Sequence, residues 1–183
     1  NPFPIICGTS AGAIIAAALA SNAHRFRLGV RGLENVWSHL TADQVFHTEF
    51  FSFLWMLLRW LIPGFTVGYT PRNSALLDST PLRNLLTLVM NQRRIQAAID
   101  EGDLKALCIT TSSYGGGESV TFFQAREDVL PWDRVRRFGK PAVIGVEHLM
   151  ASSAIPMLFP AQRVGDGFYG DGALRQLAPL SPA

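Results

Sequence analysis

The sequence predicts an α/β layered domain, on three observations. A fully apolar strand-like run opens the chain and leads through a glycine-flanked turn into an alanine-rich segment. Strand-like and helix-like segments then alternate along its length, the pattern of helices laid on a sheet. The 183 residues, 48% of them hydrophobic and 16% charged, suffice for one sizeable core. With a mean hydropathy of +0.19 the composition excludes a disordered chain. A formal charge of +2 is too small to point to nucleic acid.

Residues 3–8 read as a buried strand and 11–21 as a helix of small residues suited to close packing. Leu28–Leu40 carries Leu28, Leu33, Val36, Trp37 and Leu40 near helical spacing. Asp78–Ile99 reads as one longer helix, with Pro81 near its start and Leu82, Leu85, Leu86 and Val89 on one face. Ala106–Thr111 and Ser119–Gln124 read as paired strands around the Gly115-Gly116-Gly117 turn. Val143–Ser153 is a helix ended by Pro156. Phe159–Val164 and Phe168–Gly170 flank a tight turn at Gly165-Asp166-Gly167. No repeat or low-complexity tract interrupts the series.

Phe50–Ile62 stands apart, apolar except at Ser52 and Arg59. As a helix its thirteen residues span about 20 Å, short of the roughly 30 Å hydrocarbon core of a bilayer. Two readings stay open: a buried core helix, or a lid or interfacial helix that meets lipid with its tryptophans at headgroup level. The Arg134-Arg136-Arg137 cluster reads as a solvated face or as a phosphate or lipid-headgroup contact. Cys7 and Cys108 lie in apolar strand-like runs and read as buried free thiols, which suits a reducing compartment. A cytoplasmic or peripheral-membrane location is expected.

The chemistry concentrates in Gly8-Thr9-Ser10-Ala11-Gly12. A sharp strand-to-helix turn lifts the Ser10 hydroxyl clear of the backbone at a helix N-terminus, where free N–H groups favour developing negative charge. Gly8 and Gly12 are expected to leave room where side chains would collide. The Ala11 N–H is a candidate oxyanion donor. Alone, such a motif is a weak signal; the strand before and the helix after strengthen it.

A serine nucleophile requires a base within hydrogen-bond reach. Of His24, His39, His47 and His148, none follows Asp166 or Asp171, as the serine–acid–histidine order would demand. His148 with an acid between Asp100 and Asp133 is the remaining triad, and nothing local marks it. Phe168-Tyr169-Gly170-Asp171-Gly172-Ala173 instead sets a carboxylate at a strand end between glycines, whence it could take the Ser10 proton directly. The plain alternative is an Asp-Gly turn, the reading given to Asp166-Gly167.

Ser10 in Gly-Thr-Ser-Ala-Gly-Ala and Asp171 in Asp-Gly-Ala resemble the catalytic dyad of the patatin-like phospholipase family. Three further stretches agree. Asp78-Ser79-Thr80-Pro81-Leu82 resembles the family's approach to its mid-domain helix. Ala151-Ser152-Ser153-Ala154-Ile155-Pro156, running to Phe159-Pro160, is similar to its approach to the aspartate strand. Leu174-Arg175-Gln176 with Pro179-Leu180 resembles the family's stretch just after its aspartate. The resemblance covers essentially the whole chain, residues 1–183, as a single catalytic domain. It implies a three-layer α/β/α sandwich and hydrolysis of lipid esters without metal or cofactor. Ser10 would be the nucleophile, Asp171 the base for both half-reactions, and Gly8, Gly12 and Gly172 the motif glycines. A lipid ester is the implied substrate, with lipid-surface contact through Phe50–Ile62.

The family's Gly-rich oxyanion loop precedes the serine strand and is absent from this sequence. The domain is therefore expected to be cut at both ends. An oxyanion donor is worth about 2.7–4 kcal/mol, so the chain alone is expected to be nearly inactive and its full-length parent active. Two other classes compete: a non-catalytic lipid- or anion-binding module built on the glycine turn, and a Ser-His-Asp esterase using His148.

Overall fold

The computed structural model describes residues 1–39, 79–156 and 158–176. Its seven strands are β1 Ile5–Thr9, β2 Ala106–Ser113, β3 Ser119–Ala125, β4 Trp132–Arg134, β5 Arg137–Pro141, β6 Gln162–Val164 and β7 Gly167–Asp171. The described α-helices are α1 Ala11–Ala20, α2 Phe26–Ser38, α3 Thr80–Val89, α4 Gln92–Asp100 and α5 Val146–Ser152. Together they make a mixed sheet with helices, as the α/β class predicts. Asp78, Phe50–Ile62, His47 and Pro179-Leu180 lie outside the described residues. Among the described residues no helix is long and apolar enough to cross a membrane.

β2 is the centre of the sheet. Its apolar half, Ala106 to Ile109, gives way to Thr110-Thr111-Ser112, and all seven residues are buried. Leu107 and Ile109 join the main core, which α1, α3, α4 and α5 cover with Ala13, Ala17, Leu86, Ile95, Ile99 and Leu149. Ala106 and Cys108 face the other way, against Phe123, Ile5, Cys7 and Trp132. Residue-by-residue alternation on a strand buried on both faces explains why it reads as a nearly continuous run rather than a half-polar one.

The register of β2 decides where the functional residues fall. β3 pairs antiparallel along one side of it, from Ala106 to Ser112. The other side is shared. β1 runs parallel to it over Ala106–Thr110, ending with Thr9 opposite Thr110. β7 runs antiparallel to it, ending with Asp171 opposite Thr111. The C-terminal ends of β1 and β7 therefore meet head-on beside Thr110 and Thr111.

Three expectations are corrected. The helix expected over Asp78–Ile99 is two helices. Met90 is extended between them, and the Asn91 side chain accepts the Arg94 N–H to cap α4. β4 and β5, unanticipated, extend the sheet beyond β3: β4 is its short charged edge, and Lys140 and Pro141 of β5 lie past the end of β4's pairing, where that side of the strand has no ladder partner among the described residues. The helix expected from Val143 begins at Val146, because Gly145 is extended. Cys7 and Cys108 are free thiols and register neighbours across β1 and β2, Cys108 buried and Cys7 half-buried. The Cys108 thiol is pushed up by its hydrogen bond to Cys7 and by burial, and stays protonated as the donor.

Candidate active site

Ser10 leaves β1 with φ 55° and ψ −128°. This is a sparsely populated conformation for a residue with a side chain, at a cost of order 1–3 kcal/mol. It lets the chain reverse from strand into α1 within one residue. The reversal brings the helix start against the strand end. A β-carbon on Gly8 would stand 2.6 Å from the Ala13 Cα and would also strike the Gly12 carbonyl. Gly8 is thus required by close approach. Gly12 is not: a β-carbon there would meet no described atom within 4 Å, which corrects the collision expected from the motif.

Ser10 is also the N-cap of α1, yet its hydroxyl makes no capping bond. It donates instead to Asp171 Oδ2 at 2.7 Å, across 161 residues of sequence. A serine cap is worth about 1 kcal/mol; here the hydroxyl turns away from that role towards a carboxylate. The Ala11 N–H belongs to the first turn of α1, whose N–H groups have no acceptor within the helix, and Ala11 is exposed.

Asp171 is 4% exposed. Its other oxygen, Oδ1, accepts the Ala173 N–H at 2.8 Å, capping the 3₁₀ turn Gly172–Leu174. Its own N–H donates to the Ala154 carbonyl at 2.9 Å. Backbone bonds on both sides fix the carboxylate's direction, and Oδ2 faces the serine. Gly172 admits this geometry, since a β-carbon there would stand 2.7 Å from the Thr110 carbonyl carbon.

A third side chain enters that sequence reasoning does not single out. Ser152, fully buried in α5, accepts the Ser10 N–H at 2.9 Å and donates to the Thr110 carbonyl at 2.6 Å. The only sequence signal for it is Ala151-Ser152-Ser153-Ala154, a stretch that carries family resemblance without assigning either serine a role.

The remaining candidates are elsewhere. His148 is buried edge-on to Phe122, and its Nδ1 accepts the Gly145 N–H at 3.0 Å. Burial holds its pKa below the ordinary histidine value against the opposing charge of Glu147. The ring is neutral, and its 3.3 Å approach to Glu147 is not an ion pair. Asp166 is fully exposed on the β6–β7 turn, 4.0 Å from the Arg163 guanidinium. His39 bonds Asn35 on the exposed end of α2. The structure therefore brings together Ser10, Asp171 and Gly172, with Gly8 and Ala11 beside them, and leaves His148 out.

A mixed sheet with helices, carrying a serine at a strand–helix elbow, defines an α/β domain. The family model described as patatin-like phospholipase matches residues 1–183, and the chain belongs to that family. Membership supports lipid acyl hydrolase activity in general and implies lipid substrates. Among curated proteins nothing matches the chain.

Proposed function

We propose that the protein cleaves carboxylic ester bonds of lipids with Ser10 as nucleophile and Asp171 as general base. The observation that carries this reading is the 2.7 Å bond from Ser10 Oγ to a buried, doubly anchored carboxylate. Ser10 Oγ attacks the ester carbonyl carbon and passes its proton to Asp171 Oδ2. As the tetrahedral intermediate collapses, the alcohol leaves with that proton and an acyl-Ser10 remains. Water then gives its proton to Asp171 and attacks the acyl carbon. The fatty acid departs and Ser10 is reprotonated. The Ala11 N–H, at the positive end of α1, would contribute to stabilising the oxyanion.

The binding-module alternative is disfavoured by the same geometry. An anion cradle presents free N–H groups, whereas the Ser10 N–H is already bonded to Ser152 and a carboxylate stands at its hydroxyl. The histidine alternative is disfavoured by His148's bond to Gly145.

The test is fluorophosphonate labelling of the full-length protein carrying this sequence, mapped by mass spectrometry and run beside ester turnover. Ser10→Ala should abolish labelling, and Asp171→Asn should slow turnover by about 10²–10⁴, the range for a lost general base. His148→Ala and Asp166→Asn should leave Ser10 reactive. An unlabelled Ser10 in a folded protein would overturn the hydrolase reading.

In the same reading Phe50–Ile62 is the part that meets a lipid surface, and the protein works as a peripheral membrane or cytoplasmic enzyme. Trp60→Asp should reduce co-flotation with phosphatidylcholine vesicles several-fold; unchanged flotation would remove the segment from that role.

A further inference from the structure

The head-on meeting of β1 and β7 puts a change of partner strand between Thr110 and Thr111 of β2. β1 ends there, and β7 takes up pairing only at Thr111. At this junction the chain leaving β1 turns sharply at Ser10, whose N–H departs from the ladder direction with the rest of the elbow. One backbone acceptor, the Thr110 carbonyl, and one backbone donor, the Ser10 N–H, thus lie at this change of partner. Ser152 Oγ stands between them, donating to the first at 2.6 Å and accepting from the second at 2.9 Å. A hydroxyl can do both at once, as it carries one proton and two lone pairs.

We propose that Ser152 is a positioning residue for the nucleophile. Its hydroxyl ties the elbow to the central strand, holding Ser10 in the backbone conformation that aims Oγ at Asp171. This rests on Ser10 being the nucleophile, but the tie itself is a statement about backbone geometry. The Ser152 hydroxyl hydrogen-bonds to neither the reacting oxygen nor the carboxylate, so its action passes through the Ser10 backbone. The bond also assigns the Ser10 N–H a structural task and removes it from the oxyanion donors. α5 supplies a fixed base for the strut, with Leu149, Met150 and Ala151 all buried beside it.

Ser153 provides an internal control. It is the next residue, similarly buried, and its hydroxyl has no hydrogen-bond partner among the described residues. Its removal breaks no bond among the described residues, whereas Ser152→Ala orphans two backbone groups.

The experiment compares wild type, Ser152→Ala, Ser152→Thr and Ser153→Ala in the full-length protein. Fluorophosphonate labelling rates, kcat and KM on a soluble p-nitrophenyl ester, and amide hydrogen exchange at Ser10 are measured below each variant's unfolding transition. Ser152→Ala should lower kcat and the labelling rate at least tenfold with KM within about twofold, and the Ser10 amide should exchange at least tenfold faster. Ser152→Thr, which keeps the hydroxyl, should recover most of both, and Ser153→Ala should match wild type. Ser10 exchange and labelling at wild-type rates in folded Ser152→Ala would overturn the proposal. So would an equal loss in Ser153→Ala. If wild-type Ser10 resists labelling, the hydrolase reading fails, and the exchange comparison still decides whether the strut exists.

Discussion

In the proposed dyad the two oxygens of Asp171 divide the labour that a Ser-His-Asp triad spreads over two residues. Oδ1 is spent on the Ala173 N–H and sets orientation, while Oδ2 meets the Ser10 hydroxyl. Opposite it, Ser10 forgoes its capping bond and occupies a strained backbone conformation. Strain of order 1–3 kcal/mol is comparable with the 1–3 kcal/mol penalty for orphaning one buried polar group. The Ser152 bonds are therefore of the right size to decide whether the elbow holds. The glycines of the same motif make a sharp contrast. Gly8→Ala drives a methyl into the backbone of Gly12 and Ala13; overpacking of about 3 kcal/mol should lower Tm by roughly 6–12 °C. Gly12→Ala meets open space and gains helix propensity of up to about 1 kcal/mol, so its Tm should be unchanged or slightly higher. Calorimetry of the two variants separates them, and equal losses would contradict the close-approach argument. The Ser10 elbow and the close approach at Gly8 are legible in sequence because the motif agrees with the strand before it and the helix after it, whereas Asp171 is set apart from an ordinary Asp-Gly turn only by the family resemblance. Ser152 is not legible, because both its partners are backbone groups, which carry no residue signature.

At the scale of elements, legibility follows the strength of the local pattern. β1, α1 and the β2–β3 hairpin are readable because glycines punctuate them, at the β1–α1 elbow and in the turn between β2 and β3. The α3–α4 break escapes because its signal is a phase slip: after Val89 the helical spacing falls on Gln92 and Arg93, and apolar residues resume at Ile95, Ala98 and Ile99, while a lone Asn91 does not announce its cap. β4 and β5 escape because β4 is a short, charged edge strand, and β5 carries Lys140 and Pro141 beyond the end of β4's pairing, so neither shows an apolar run. α5 makes a testable statement of its own. His148 is held neutral by burial, accepting the Gly145 N–H at the helix start. Its pKa is lower folded than unfolded, so the unfolded chain takes up more protons below the ordinary histidine range. Stability from this group is present in full above about pH 6.5 and is lost as pH falls through the folded value. Urea midpoints should drop between pH 7.5 and 5.5 in the wild type. They should drop less in His148→Gln, whose amide oxygen can accept the same N–H without titrating. An identical pH dependence in both would show that other groups carry the acid sensitivity.

For the whole molecule, the candidate site is a product of long-range assembly. Ser10 stands 161 residues from Asp171 and 142 from Ser152, and the three meet because β1, β7 and α5 all converge on Thr110 and Thr111. No local segment contains the arrangement. β1 alone supplies a serine without its carboxylate, and β7 alone an aspartate that caps a turn. The core that binds these strands is shared by α1, α3, α4 and α5, so the elements that hold the site are the elements that hold the fold. Reactivity should therefore vanish with global structure. In urea, the fluorophosphonate labelling rate at Ser10 and the far-UV circular dichroism should decline with one midpoint, as a cooperative two-state unit requires. The described residues hold the elbow by a strut and a carboxylate anchored from opposite sides, which leaves little room for the site to loosen first. Labelling that falls well before the circular dichroism would mean that the β1–β7 junction opens as a separate, weaker unit. In that event Ser152→Ala should widen the interval between the two midpoints, since the strut ties the β1 side of the junction to the central strand.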